Sequence, residues 1–521
     1  MSLCRSLALL LTATSIFRGQ QPPSYTIAGT IVDHLSGRPL PGILVSVTTV
    51  ARNSEPISVL TAADGRFTFP NLVAGKYALA AERRGARPEL YLQHGEFSTA
   101  IVTGPGLDSE HITFPLSAPA RLSGTVLDSE GDPVPGAQIM LFTQVQVDGL
   151  PQLMQVNNAM ASQSGAFRFS NLRPSRYYLA VRGHPWYAQN TPVTEEQVNA
   201  VPAAPPELNV TYPTTYSGDV TDPAAAQPLD LKEGTATELH FHLHAVPSVA
   251  LALKAPEDPS SGITAYLIGS GPEGIQVNSL QEGDPLQMIG LAPGHYELIA
   301  RFGTKTVRRE IDLAASTTMD LSPDESVKCT GRITAETPDS APVGAGIVLV
   351  GRGSAHPGRP EPEGISFYSV PPGRYQVFLT NAPQFYTKAV SLNGKQVTGN
   401  DIDIPASGGF EISVLAAHVA VEKLEGVVEK DGTPAAAMMV LLVPEDLSRS
   451  SLIRRDQSDS DGSFSLRSVA PGRYTLIAID GDPELAYRDP AVIKPYLAHG
   501  QMVNITPGFN EHLKIEVYRR P

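Results

Sequence analysis

The chain has 521 residues, 53 of them acidic and 39 basic, for a net charge of −14 at pH 7. Its Lys and Arg residues are scattered without a basic run, which argues against a nucleic-acid partner. The length exceeds one domain of the usual ~100 to 150 residues. With two cysteines, Cys4 and Cys329, there is no disulfide framework, so stability has to come from packing.

Met1 to Phe17 places Arg5 ahead of an apolar run from Leu7 to Phe17, with Ala13 and Ser15 as small residues near its end. This pattern predicts a secretory signal peptide over residues 1–20, cleaved between Ser15 and about Gln20. Cys4 precedes the apolar run and so is not placed as a lipid anchor. No later stretch has the ~20 apolar residues needed to span a bilayer, and the mature chain is expected to be soluble and secreted.

From Asp64 to Ala81 runs DGRFTFPNLVAGKYALAA, and its apolar beat returns four more times. The copies align on Phe67, Phe69, Leu72, Gly75 and Tyr77, then on Phe167, Phe169, Leu172, Ser175 and Tyr177. They continue on Leu286, Met288, Leu291, Gly294 and Tyr296, on Ile365, Phe367, Val370, Gly373 and Tyr375, and on Phe464, Leu466, Val469, Gly472 and Tyr474. Apolar and polar residues alternate on both sides of each turn, the period of a strand buried on one face. Gly75, Gly294, Gly373 and Gly472, each two residues before its tyrosine, suit a left-handed backbone position. A tyrosine just past a corner can fill the core while its hydroxyl bonds back to the chain. The predicted core includes Phe67, Phe69, Tyr77, Phe167, Tyr177, Tyr375, Phe464 and Tyr474.

The tyrosines lie 100, 119, 79 and 99 residues apart, which divides the chain into five units of sandwich size. The expected boundaries are 24–118, 120–246 with an insertion over 183–237, a divergent 247–325, 327–420 and 421–521. Ahead of the repeat in units one, two, four and five stands an opening strand followed by a loop punctuated by Pro and Gly. It is clearest as TIAGTIVDHLSGRPLPG and LSGTVLDSEGDPVPG, fainter as CTGRITAETPDSAPVG and LEGVVEKDGTPA. Closing strands follow as HITFPL, LHFHLH, FEISVL and LKIEVY. Cys329 aligns with Ile27, Leu122 and Leu424, and is expected to be a small buried apolar residue.

This combination resembles the carboxypeptidase regulatory-like domains, small transthyretin-like β-sandwiches related to the Cna B-type repeats of surface proteins. The resemblance covers units one, two and five well, unit four fairly, and unit three through LAPGHYELIA alone. The long connections look like those of secreted multi-repeat bacterial members of the family. The resemblance implies an all-β tandem array of about five transthyretin-like or immunoglobulin-like sandwiches with a non-catalytic role.

Candidate chemistry is sparse. His240, His242 and His244 share one strand face and could bind Zn or Cu, but Leu239, Phe241 and Leu243 take the core positions, which turns the histidines outward. No metal and no cofactor are therefore expected. Asp456, Asp459, Asp461 and Gly462 look like a calcium loop, yet Gln457 and Ser468 stand where EF-hand spacing wants acids, so a hairpin turn is the better reading. A metallocarboxypeptidase needs a His-x-x-Glu zinc pair, and none of the 12 histidines begins one. Neither His-Glu-x-x-His, Gly-x-Ser-x-Gly nor a phosphate loop is present. Within the insertion, Trp186, Tyr187, Tyr212 and Tyr216 form the only aromatic group expected outside the cores, a candidate ligand-binding surface on a long excursion with little regular structure. The function expected is a structural or binding role at the cell envelope or outside the cell, with an unidentified protein or polysaccharide as partner. The alternatives are a carbohydrate-binding protein and an accessory subunit of a secreted peptidase or outer-membrane transport system.

Overall fold

In the computed structural model, the described residues are 23–519 except 51–53, 148, 191–204, 255–262, 270, 272–273, 282–285, 303–304, 322–328, 338–341, 352–353, 363, 368–369, 371–372, 406–408 and 482–484. The expected signal segment lies outside them. The chain is an all-β tandem array of five sandwiches, and one strand plan recurs in each. An opening strand (Tyr25–Asp33, Ala120–Asp128, Val249–Lys254, Cys329–Ala335, Val421–Lys430) pairs antiparallel with the first strand of the repeat (Arg66–Leu72, Ala166–Leu172, Gln287–Leu291, Gly364–Ser366, Ser463–Val469). On its other side it pairs parallel with the closing strand (Ile112–Leu116, Ala236–Leu243, Thr317–Asp320, Phe410–His418, Leu513–Arg519). The facing sheet joins the strand after the opening loop to the tyrosine strand (Gly75–Glu82, Ser175–Arg182, Gly294–Phe302, Gly373–Thr380, Gly472–Asp480). Unit three, divergent in sequence, has both sheets.

Between the sheets lie five separate apolar clusters, one per unit. All eight aromatic residues expected in the cores are buried. The glycine of the opening strand is there for room. A Cβ on Gly124 would lie 1.7 Å from the Leu239 carbonyl oxygen, and one on Gly426 would lie 2.4 Å from that of Leu513. In unit three Leu253 holds this register position, its N–H donating to the Leu286 carbonyl at 2.7 Å. Leu286 stands where Phe67, Phe167 and Phe464 stand elsewhere, so a smaller neighbour accompanies the larger residue.

Four tyrosines bond back to the carbonyl four residues earlier. Tyr77 donates to Val73 at 3.0 Å, Tyr177 to Arg173 at 2.7 Å, Tyr296 to Ala292 at 2.6 Å and Tyr474 to Ala470 at 3.0 Å. The glycine before the tyrosine has the positive φ that the pattern predicts in units one, four and five, at 159°, 135° and 153° for Gly75, Gly373 and Gly472. A second positive-φ position, which the pattern did not indicate, lies earlier at Asn71, Asn171, Gly290 and Ser468, with φ between 56° and 68°. Each lies six residues before its tyrosine. In units one to three the antiparallel register slips there, with Phe69 opposite Ile27 but Leu72 opposite Tyr25. This is a bulge, and Asn and Gly tolerate its backbone best.

The insertion in unit two is more regular than expected. Thr215–Tyr216 and Leu229–Leu231 add to the edge of the tyrosine strand, and Val210–Thr211 pairs with Val246–Pro247. Every tyrosine strand has such an edge partner, Ile101–Thr103 in unit one and Gln501–Ile505 in unit five among them. A long connection therefore returns because the ladder needs its outer strand. Unit five also holds a helix, Pro490–Leu497, whose Asp489 cap accepts from the Ala491 N–H at 2.8 Å with Pro at the first position. Ile493 and Tyr496 cover Met439, Leu441 and Val443 on the outer face of the sheet. Covering on both faces explains why Met439–Pro444 is apolar throughout rather than alternating.

Candidate binding surface

The aromatic group of the insertion is divided by the fold. Trp186 is 85% exposed, and Tyr187 meets it edge-on with ring centroids 5.7 Å apart. Tyr212 is 7% exposed and belongs to the core of unit two. Tyr216 is 8% exposed and packs with Met140, Phe142 and Ala180 of unit two and Ile275 of unit three. These two rings lie at the short strands that return to the sandwich, so the sequence's reading of them as outside the core is corrected. The exposed ring is Trp186, with the half-buried Tyr187 beside it.

His240, His242 and His244 are exposed, while Phe241 and Leu243 are fully buried between them. His240 Nδ1 lies 2.8 Å from Thr125 Oγ1. His242 Nδ1 lies 2.9 Å from Asp219 Oδ2, and its backbone N–H donates to Asp219 Oδ1 at 3.1 Å. Asp219 is a carboxylate that the sequence did not bring to this strand. Among the described residues, no three His, Cys, Asp or Glu side chains are grouped to hold a metal. Cys329 is a half-buried thiol packed against the core of unit four.

The calcium-like stretch forms a turn, with Gly462 at φ 77° and the Ser463 N–H donating to Asp461 Oδ1 at 3.0 Å. Gly65 and Gly165 hold the same place at 74° and 71°. In unit five the turn has a second use, because it meets unit one. Asp459 pairs with the Lys76 ammonium, and its Oδ1 accepts from the Ala100 N–H at 3.0 Å. Ser460 Oγ accepts from the Val102 N–H at 2.8 Å. Gln457 Nε2 donates to the Leu92 carbonyl at 2.7 Å and to Thr99 Oγ1 at 2.9 Å, while its Oε1 lies 3.0 Å from His94 Nδ1. The Arg455 guanidinium sits 4.2 Å from the Phe97 ring centre. Burial holds the His94 imidazole below its ordinary pKa, against the Gln457 contact. Burial also raises the Asp456 and Asp459 carboxyls, the second against the pull of Lys76. Nothing local in the sequence marks this junction, because its partners lie more than 350 residues apart.

A family model for the carboxypeptidase regulatory-like domain matches residues 26–104 and 121–244. Units one and two are thus the parts of the chain that are similar to carboxypeptidase regulatory-like domains. Their matched spans contain Lys76, His94 and Thr99, the unit-one side of the junction, and the whole described insertion of unit two. Among solved structures the chain is similar to a streptococcal ancillary pilin, at 11% identity over 58% of this chain and 100% of that one, with a TM-score of 0.19. It is also similar to the minor pilin of Streptococcus agalactiae, at 13% identity over 42% and 97%, TM-score 0.21, and to the shaft pilin of Lactobacillus rhamnosus GG, at 10% over 43% and 98%, TM-score 0.19. At TM-scores this low the likeness extends to no shared arrangement or activity. No curated protein matches the chain. Units three to five repeat the same strand plan and tyrosine position.

Proposed function

We propose that the chain is a non-catalytic structural or binding protein of the cell envelope or extracellular space, exported behind a signal peptide at 1–20. Its working parts are sandwiches bounded near 24–118, 120–246, 247–325, 327–420 and 421–521, with recognition carried by the excursion of unit two. Trp186 carries this reading: it is the most exposed aromatic side chain of the described residues, and it stands on a connection whose return strands are fixed to a rigid sandwich. The repeated polar positions, by contrast, are spent on turns and corners. Among the described residues no helix is long and apolar enough to cross a membrane.

The test compares the full chain with Trp186→Ala in a glycan array and in a pull-down against envelope extract, alongside assays for peptide, ester and glycoside hydrolysis. Retention of a polysaccharide or protein by the parent chain that is lost in Trp186→Ala is the expected result. Turnover of any of the three substrate classes would sink the non-catalytic reading. A saccharide is the second reading, favoured because an exposed indole can stack on a sugar ring. The boundaries are tested by limited proteolysis, with first cuts expected in the linkers between the named spans.

A further inference from the structure

Units four and five meet around a cavity of about 430 Å³ lined by Lys388, Gln396, Thr398 and Gly399 of one and Arg449 of the other. Such a volume falls within the ~300 to 1,000 Å³ usual for small-ligand sites, which favour junctions between domains. The walls are set by close backbone packing. Gly399 has φ 71°, and a Cβ there would fall 1.9 Å from the Ser448 carbonyl oxygen. Asn400, fully buried, accepts through Oδ1 from the Ser451 N–H and the Ser450 hydroxyl, each at 3.3 Å. Arg449 itself sits at a kink between two 3-10 turns, with φ −97° and ψ 47°, behind the Asp446 cap that accepts from the Ser448 N–H at 3.1 Å.

The charges in this cleft are unbalanced. Lys388 pairs with Glu336, both partly exposed, whereas the Arg449 guanidinium has no ion-pair or hydrogen-bond partner among the described residues, its backbone N–H alone donating to the Asp446 carbonyl at 3.1 Å. Glu336 strengthens the hold of Lys388 on its proton and Arg449 weakens it, so the two cations sense each other. In a chain of net charge −14, two like charges across a cleft are lowest in energy with an anion between them. A guanidinium offers a planar two-pronged donor and an ammonium a point charge, the pair suited to a carboxylate or phosphate. The Thr398 hydroxyl and the Gln396 amide add neutral polar groups to the wall.

We propose that this cleft binds an anionic oxygen group, with Arg449 and Lys388 as its cations and Glu336 as the internal carboxylate that the ligand displaces. The source is either the uronic acid of an acidic saccharide or a free phosphate. The site is separate from the Trp186 surface and stands or falls without it.

The experiment is titration calorimetry of the full chain at low ionic strength with glucuronate, with inorganic phosphate and with glucose as the neutral control. Saturable binding of one anion and none of glucose is expected. Arg449→Gln is expected to weaken it at least about tenfold, and Glu336→Gln to tighten it about threefold by removing the competitor. Tighter binding of glucuronate than of phosphate assigns the site to a saccharide, and the reverse assigns it to free phosphate. The proposal is overturned if neither anion saturates, if glucose binds as well, or if Arg449→Gln leaves the affinity unchanged. Should Arg449→Gln misfold by circular dichroism, Arg449→Lys keeps the charge and loses the fork, and undiminished binding there together with no gain in Glu336→Gln equally overturns it.

Discussion

The Tyr474 hydroxyl is buried against the Ala470 carbonyl, and burial pushes its pKa up to about 12. Tyr474→Phe removes one donor and leaves that carbonyl unpaired, so a loss of about 1 kcal/mol is expected in denaturant unfolding of the full chain. Tyr474→Ala also removes a buried ring, for about 3 to 5 kcal/mol. A loss under about 1 kcal/mol for the alanine variant would contradict the corner. His94 supplies a pH dependence. Its pKa is lowered in the folded chain, so its contribution to stability is complete above the unfolded value of about 6.5 and is lost as pH falls from there through the folded value. Asp456 and Asp459 are raised by burial and act in the opposite sense, favouring the folded state at low pH and losing that contribution as pH rises through their folded values. The melting temperature of the parent chain is therefore expected to fall more than that of His94→Gln between about pH 7 and pH 5.5. Parallel curves for the two proteins would remove His94 from the account.

At the scale of the element, the opening strand's glycine leaves no room for a Cβ against the closing strand's carbonyl in units one, two and five. Gly124→Ala drives a methyl group into the Leu239 carbonyl, and neither backbone can retreat without breaking the ladder. Destabilisation of about 2 to 3 kcal/mol is expected, the scale of overpacking. Adding a leucine side chain at this place in unit three comes with a smaller neighbour, so Gly124→Ala combined with Phe167→Leu should recover part of the loss. Thermal unfolding of the three proteins checks this, and additive losses in the double variant would mean that the carbonyl alone sets the limit.

For the whole molecule, the contact between the first and last units changes what independence means. Each unit has its own core, which by itself predicts that damage to unit five leaves unit one untouched. The Lys76 and Asp459 pair, the buried Gln457 and the backbone bonds at Ala100 and Val102 couple the two ends instead. Asp459 is mostly buried while Lys76 is over one-third exposed, so breaking the pair is expected to cost about 1 to 2 kcal/mol, below the figure for a fully buried pair. In Asp459→Ala the radius of gyration from small-angle scattering is expected to rise as unit one separates from unit five. An unchanged scattering curve together with unchanged stability would dismiss the coupling.

What the sequence determined by itself was everything that local periodicity can encode. Phe67-x-Phe69, the turn at Asp64-Gly65 and Tyr77 specify buried faces, corners and their five-fold recurrence, because side-chain alternation and turn chemistry act within a few residues. Phe241 between His240 and His242 was enough to turn the histidines outward. The positive φ at Gly75 was legible from the turn, but the one at Asn71 was not, because a bulge shows itself only once the partner strand fixes the register. Tyr212 and Tyr216 were likewise read as peripheral, since a long connection carries no local sign that its ends rejoin the sheet. Only the tertiary structure decided which strands lie parallel, that Asp219 reaches His242, that Gln457 and Asp459 serve unit one, and that Arg449 faces Lys388. These contacts join residues brought together by the packing of whole sheets and units, and that packing depends on the summed shape of many side chains rather than on any stretch of the chain.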